Sequence, residues 1–232
     1  MTDPSEKRNR RRRRLARVRR PARLGTIRRT EPLSEHWGRE RGTPVDRYYI
    51  EQFLAENRHV VRGRVLEVMN ADYTRRFGDG VTGSDVLDID AGNPEATVVA
   101  DLADAAAIEA DAFDCFILTQ TLQYVFDLET AIGHVHRVLR PGGTVLCTVP
   151  AVSKIGRRQL GSEWWRLTPA ACARLFEGVF ERGRVDVRGR GNVLTCVAFL
   201  VGMAAEELKA RELETDDPLF PLIVTVRATK TT

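Results

Sequence analysis

The stretch from Phe113 to Val149 constrains the fold more than any other in this 232-residue chain. Phe113 to Leu118 is a nearly continuous apolar run, as expected of a strand covered on both faces. Leu128, Ile132, Val135 and Leu139 then recur on one helical face, and Arg140-Pro-Gly-Gly143 ends that helix before a second β-prone run, Thr144 to Val149. Strand, helix and strand in that order make a parallel crossover, which needs helices to cover the sheet.

The same alternation extends outward. Arg64 to Val68, Val81 to Val86 and Ala96 to Ala100 read as three earlier strands, and Leu222 to Val226 as a terminal one. Pro44 to Asn57 places Tyr49, Ile50, Phe53 and Leu54 on one helical stripe. Thr168-Pro169 reads as an N-cap with proline at the first helical position, opening a helix through Phe176, and Val193 to Lys209 as a further apolar helix. These units predict an open, mostly parallel α/β sheet of the doubly wound kind, in a single domain over residues 31–232.

Charge divides the chain unevenly. Residues 1–30 carry thirteen Lys and Arg against Asp3 and Glu6, a net of +11, which leaves the other residues at −7. Such a segment is too charged and too poor in large apolar groups to order itself against a core, and it reads as a basic, disordered arm. Its candidate partners are nucleic acid, an acidic glycan, an anionic membrane face or the acidic body of the same protein. No aromatic residue is interleaved with the arginines, so base stacking has nothing to work with.

Several classes are set aside by sequence. Cys115, Cys147, Cys172 and Cys196 are scattered, with no metal-ligand spacing, so neither a metal site nor a disulfide framework is expected. The longest uncharged run, Gly191 to Ala205, is shorter than the roughly 20 residues of a spanning helix. No apolar stretch follows the N-terminal arginines as it would in a secretory signal, and the expected location is cytoplasmic.

In doubly wound sheets the ligand lies beyond the carboxyl ends of the strands, where strand order reverses. The polar residues read at those ends are Glu67, Asp85, Asp101, Thr119 and Gln120. A carboxylate on a second strand, 18 residues after one on the first, is placed to accept from ribose hydroxyls, and Asp101 is placed to accept from a purine amine. The three acids together point to a nucleoside-containing ligand.

Asp111-Ala-Phe-Asp-Cys-Phe-Ile-Leu-Thr-Gln-Thr-Leu-Gln-Tyr-Val-Phe-Asp127, with His136-Arg-Val-Leu-Arg-Pro-Gly-Gly-Thr-Val-Leu-Cys-Thr-Val-Pro150, resembles the fourth strand, following helix and fifth strand of class I S-adenosylmethionine-dependent methyltransferases. Tyr73-Thr-Arg-Arg-Phe-Gly78, Trp164-Trp-Arg-Leu-Thr168 and the lead-in Arg41 to Glu51 resemble a bacterial subgroup often found beside glycan-assembly enzymes. The resemblance implies a Rossmann-like, seven-stranded sheet with helices on both faces, and methyl transfer from S-adenosylmethionine to a small-molecule or glycan-type acceptor. It puts Glu67 near the methionine amino group, Asp85 on the ribose, Asp101 and the Leu102 backbone at the adenine, and Thr119 and Gln120 along the methionine. The family's glycine-rich turn is replaced: Met69, Ala71 and Tyr73 stand in the three glycine places, with Asn70 and Asp72 offering polar contacts. Substrate contacts are expected from Tyr48, Tyr49, Trp164, Trp165 and Arg166, with Gln123, where the family often has histidine, and Tyr124 beside it. Glutamine cannot take a proton at neutral pH, and no catalytic base is assigned. Two other readings remain open: a non-catalytic scaffold of this fold, and an RNA-binding protein acting through its arginine arm.

Overall fold

The computed structural model of the protein describes Arg8 and residues 25–231. Most of the basic arm read over residues 1–30 lies outside the described residues. The chain runs through helix α1 (Val45–Glu56), strand β1 (Gly63–Val68), helix α2 (Asp72–Phe77), strands β2 (Val81–Asp88), β3 (Val98–Val99) and β4 (Phe113–Thr119), and helix α3 (Leu128–Val138). Strand β5 (Leu139–Pro150), helix α4 (Pro169–Glu177), strand β6 (Val185–Arg190), helices α5 (Val193–Val201) and α6 (Ala210–Leu213), and strand β7 (Ile223–Thr229) follow.

All seven strands join one sheet in the order β3-β2-β1-β4-β5-β7-β6. β1 to β5 pair in parallel, and β7 inserts antiparallel between β5 and β6. Strand order reverses between β1 and β4, so the crevice of a doubly wound fold lies beyond their carboxyl ends. The Rossmann-like, mostly parallel, seven-stranded sheet expected from the sequence is the one observed.

β4 shows why the apolar run at Phe113 to Leu118 had to be a central strand. Cys115 and Ile117 enter a core with Tyr49, Ile50 and Leu54 of α1 and with Phe199 of α5. Phe116 and Leu118 point the other way, into a core with Ile132 and Val135 of α3 and with Phe176 of α4. Each such side chain contributes about 1.5–3 kcal/mol by leaving water, and successive residues of a strand can do so only if both faces are covered. The expected N-cap is present: the Thr168 side chain accepts from the Ala171 amide at 3.2 Å, with Pro169 opening α4. All four cysteines are buried free thiols.

Several expected boundaries move, Leu139 opening β5 instead of closing α3, and one strand was missed. The helix read over Val193 to Lys209 stops at Val201, where Gly202 takes the left-handed conformation (φ 80°) that caps a helix. A side chain at that position would stand 2.6 Å from the Ser34 carbonyl oxygen, so only glycine fits. β6 was not read as a strand, because Val185 and Val187 alternate with Asp186, Arg188 and Arg190 on a half-buried strand at the sheet edge. β3 shrinks from Ala96–Ala100 to two residues. β2 continues beyond Val86 to Asp88, which changes the carboxylate that stands at its end.

The segment before α1 is pinned across the end of α5. The Leu33 amide donates to the Val201 carbonyl at 2.7 Å, the Ala205 amide donates to the Thr43 carbonyl at 2.8 Å, and Arg41 forks onto Glu207 at 2.5 and 2.9 Å. No helix among the described residues is long and apolar enough to cross a membrane.

Candidate functional site

The site builds from the turn after β1. Met69 has φ 73°, a left-handed conformation in the first of the three places where the family carries glycine. Its side chain is 62% exposed and turned away from the fold, while its amide donates to the Leu87 carbonyl at 2.9 Å. The backbone path of a glycine turn is therefore kept with a side chain on it, at a conformational cost of about 1–2 kcal/mol. The other two places need no such freedom: Ala71 has φ −106°, and Tyr73 lies inside α2. Met69→Gly is expected to raise stability by up to about 1 kcal/mol, the relieved strain exceeding the added freedom of the unfolded chain. Urea unfolding checks this, and an unchanged or lower midpoint would show that the turn carries no strain.

Glu67 does not face the crevice. It is 2% exposed, and its carboxylate accepts from the amides of Tyr73 (3.0 Å) and Thr74 (2.7 Å) and from the Thr74 hydroxyl (2.7 Å). These are donors at the start of α2 that have no partner within the helix, so Glu67 acts as its cap from inside the sheet. Burial raises its pKa above the ordinary glutamate value, against the pull of those hydrogen bonds. The expectation that it stands at the methionine amino group is corrected: every contact it makes ties β1 to α2.

Asp85 is also displaced. It pairs in register with Leu66, two residues before the end of β1, and its carboxylate is bound by Arg64 at 2.7 Å and by the Thr97 hydroxyl at 3.1 Å. The carboxylate at the carboxyl end of β2 is Asp88. One of its oxygens accepts from the Asp90 amide at 3.0 Å and the other from the Asn93 side-chain amide at 2.6 Å. That amide also donates to the Met69 carbonyl at 2.7 Å, so Asn93 locks the β2 loop onto the β1 turn. Neither Asp88 nor Asn93 was picked out from sequence; the signal was the run Val86-Leu-Asp88, one strand repeat longer than the boundary read.

The remaining expected residues lie at or under the same edge. Asp101 is exposed after β3 and accepts from the Ala103 amide at 2.9 Å, while the Leu102 side chain goes into the core. Thr119 ends β4, and Gln120 turns away with φ 49°, its amide on the Thr148 carbonyl at 2.8 Å and its side chain 3.4 Å from the Thr148 hydroxyl. Asn70 caps the start of α2 by accepting from the Asp72 amide at 3.0 Å. Gln123 is buried, donates to the Gln120 carbonyl at 2.9 Å and receives the Trp164 amide on its own carbonyl at 2.8 Å. It supports the site from below and presents no surface to an acceptor.

Two exposed aromatic rings make a ledge beyond β4. Phe126 is 66% and Trp164 51% exposed, edge to face at 5.1 Å between centroids, with Tyr124 half exposed nearby in sequence. Trp165 stacks behind Phe126 at 5.8 Å and donates its indole N–H to the Val125 carbonyl at 3.0 Å, so it braces the ledge. Phe126 was not anticipated. Tyr49 is corrected: it is buried against α5, and its hydroxyl donates to the Leu213 carbonyl at 2.8 Å. Tyr48 packs edge-on against it at 5.3 Å. Arg166 is corrected too, for its guanidinium is spent on the carbonyls of Ser153, Lys154 and Trp165 and on Glu163 at 2.7 Å. It clamps the loop after β5 and has no fork left for an anionic substrate.

The methyltransferase domain family matches residues 63–147. Residues 63–147 form a class I S-adenosylmethionine-dependent methyltransferase domain. The protein is an enzyme of that class, and its cofactor is S-adenosylmethionine. A methyltransferase from Archaeoglobus fulgidus shares the fold with TM-score 0.55 at 12% identity, over 79% of this chain and 94% of that one. One from Mesorhizobium loti gives 0.53 at 17% identity, over 80% and 98%. The Haemonchus contortus phosphoethanolamine N-methyltransferase 2, solved with S-adenosyl-L-methionine, gives 0.54 at 13% identity, over 78% and 52%. No curated protein matches the sequence significantly.

Proposed function

We propose that the enzyme, working in the cytoplasm, methylates a small-molecule or glycan-type acceptor laid on the ledge of Phe126 and Trp164. The ledge carries this reading: two large exposed rings fixed edge to face beside the end of β4 would be costly in water and are suited to a ring face or sugar face. The left-handed Met69 turn fits the cofactor, since it keeps the close backbone path that glycine gives elsewhere. Asp88 would take the ribose hydroxyls, Asp101 and the Leu102 amide the adenine, and Met69, Asn70, Ala71, Thr119 and Gln120 would line the methionine side. The cofactor supplies an activated methyl group on a sulfonium sulfur. The protein's share is alignment of the acceptor for in-line displacement. The groups beside β4 are an amide (Gln123) and a phenol (Tyr124) whose pKa burial raises, so the nucleophile suited to this site is one needing no protein base.

Thermal unfolding with S-adenosylhomocysteine tests the cofactor half: at about 100 times its dissociation constant the ligand adds about 2.7 kcal/mol, a rise of roughly 5–10 °C for a chain of this size. Transfer of labelled methyl to small-molecule and glycan acceptors tests the other half. Trp164→Ala is expected to raise the acceptor KM without moving the S-adenosylhomocysteine shift. Label arriving only on RNA or protein would overturn the acceptor class.

A further inference from the structure

α5 is apolar all round. Its nine residues, Val193-Leu-Thr-Cys-Val-Ala-Phe-Leu-Val201, include no charged group. Thr195, Cys196, Ala198 and Phe199 are buried toward the sheet, whereas Val193, Leu194, Val197 and Leu200 are exposed at helical spacing on the outward stripe. A helix on a solvated surface carries its polar residues there. Leu219, 80% exposed, and half-exposed Phe220 add apolar surface close by in the fold, the Phe220 carbonyl lying 3.5 Å from the Cys196 sulfur of α5.

The C-terminal end of this helix lies beside the point where the arginine-rich arm joins the fold. Leu33 is hydrogen-bonded to Val201, the last residue of α5, and Ser34 sits against Gly202. The segment of residues 1–30, with its thirteen Lys and Arg, therefore joins the described fold at the end of α5, three residues before Leu33. Two acids near the other end of the helix are held by the fold: Asp216 receives the Gly191 amide at 2.7 Å and Arg190 at 3.4 Å, and Asp217 receives the Leu219 amide at 2.9 Å.

We propose that the outward face of α5 and the arginine arm together dock the enzyme on an anionic lipid bilayer. The helix is about 13 Å long, far short of a span, and lies in the interface plane with Leu194, Val197 and Leu200 down. An apolar stripe joined to a polybasic segment supplies the two signals that stable peripheral attachment needs. A second copy on this face would bring two arms of +11 together, and a nucleic acid would engage the arm while leaving the stripe in water. A bilayer satisfies both features at once.

Co-sedimentation of the full chain with vesicles decides the matter. It is expected to bind vesicles of phosphatidylcholine with about a third phosphatidylglycerol and not phosphatidylcholine alone, each engaged arginine contributing roughly fivefold. Replacing Val197 and Leu200 together by glutamate, or Arg10 to Arg14 by glutamine, is expected to weaken binding at least about tenfold each. Both apolar positions face solvent, and circular dichroism verifies folding; Leu219→Glu, on a loop, is a second apolar probe with the same expected direction. Failure to bind anionic vesicles overturns the proposal. So does binding that survives both apolar variants, which leaves the arm acting alone, or a dimer in sedimentation velocity that the Val197 and Leu200 pair abolishes, which assigns the face to a second copy.

Discussion

Asp88→Ala is expected to weaken S-adenosylhomocysteine binding by roughly 30- to 1000-fold, while Asp85→Ala leaves the affinity within about a factor of two. The size follows from two hydrogen bonds to a charged acceptor, about 2–4 kcal/mol in all. The contrast follows from the register. Asp88 lies past the last residue of β2 that pairs with β1, beside the Met69 turn, whereas Asp85 faces Leu66 and is held by Arg64. Asp85→Ala breaks only that half-exposed ion pair and should cost under about 1 kcal/mol of stability. Isothermal titration of both variants is the check. Loss of binding in Asp85→Ala with retention in Asp88→Ala would restore the assignment read from sequence and reject the one drawn from the sheet.

Glu67→Ala is expected to lower stability by about 3 kcal/mol, a fall in melting temperature of roughly 6–12 °C. The variant strands the Tyr73 and Thr74 amides and the Thr74 hydroxyl at the buried start of α2, and leaves a cavity besides. The relief of burying a charge offsets part of this, which keeps the loss below the sum of three charged hydrogen bonds. Affinity for S-adenosylhomocysteine, measured below the melting temperature, should change little. An unaltered melting curve with abolished binding would make Glu67 a cofactor ligand and its capping contacts incidental.

These two carboxylates show how far local sequence carries. Residue types along the chain were enough for the alternation of strand and helix, because burial on two faces demands apolar runs of strand length and covering helices demand a stripe every three to four residues. They were enough to mark Glu67, Asp101, Thr119 and Gln120 near strand ends, while the family resemblance marked the turn at Met69 as the place where glycines are missing. They were not enough to rank the acids of Asp85-Val-Leu-Asp88, since both sit on a β-prone run and only pairing with β1 tells which one clears the sheet. β6 escaped for a related reason: an edge strand half open to water needs no apolar run.

Sequence by itself determined the doubly wound sheet, the methyltransferase resemblance and the separation of a basic arm from an acidic body, since each depends on composition or period within one segment. Only the tertiary structure decided that Glu67 caps a helix, that Tyr49 and Arg166 are spent within the fold, and that the arm joins the fold beside the end of α5. Each of those is a contact between residues distant along the chain, and the hydrogen-bonding capacity of a side chain says nothing about which partner will consume it until the chain has closed.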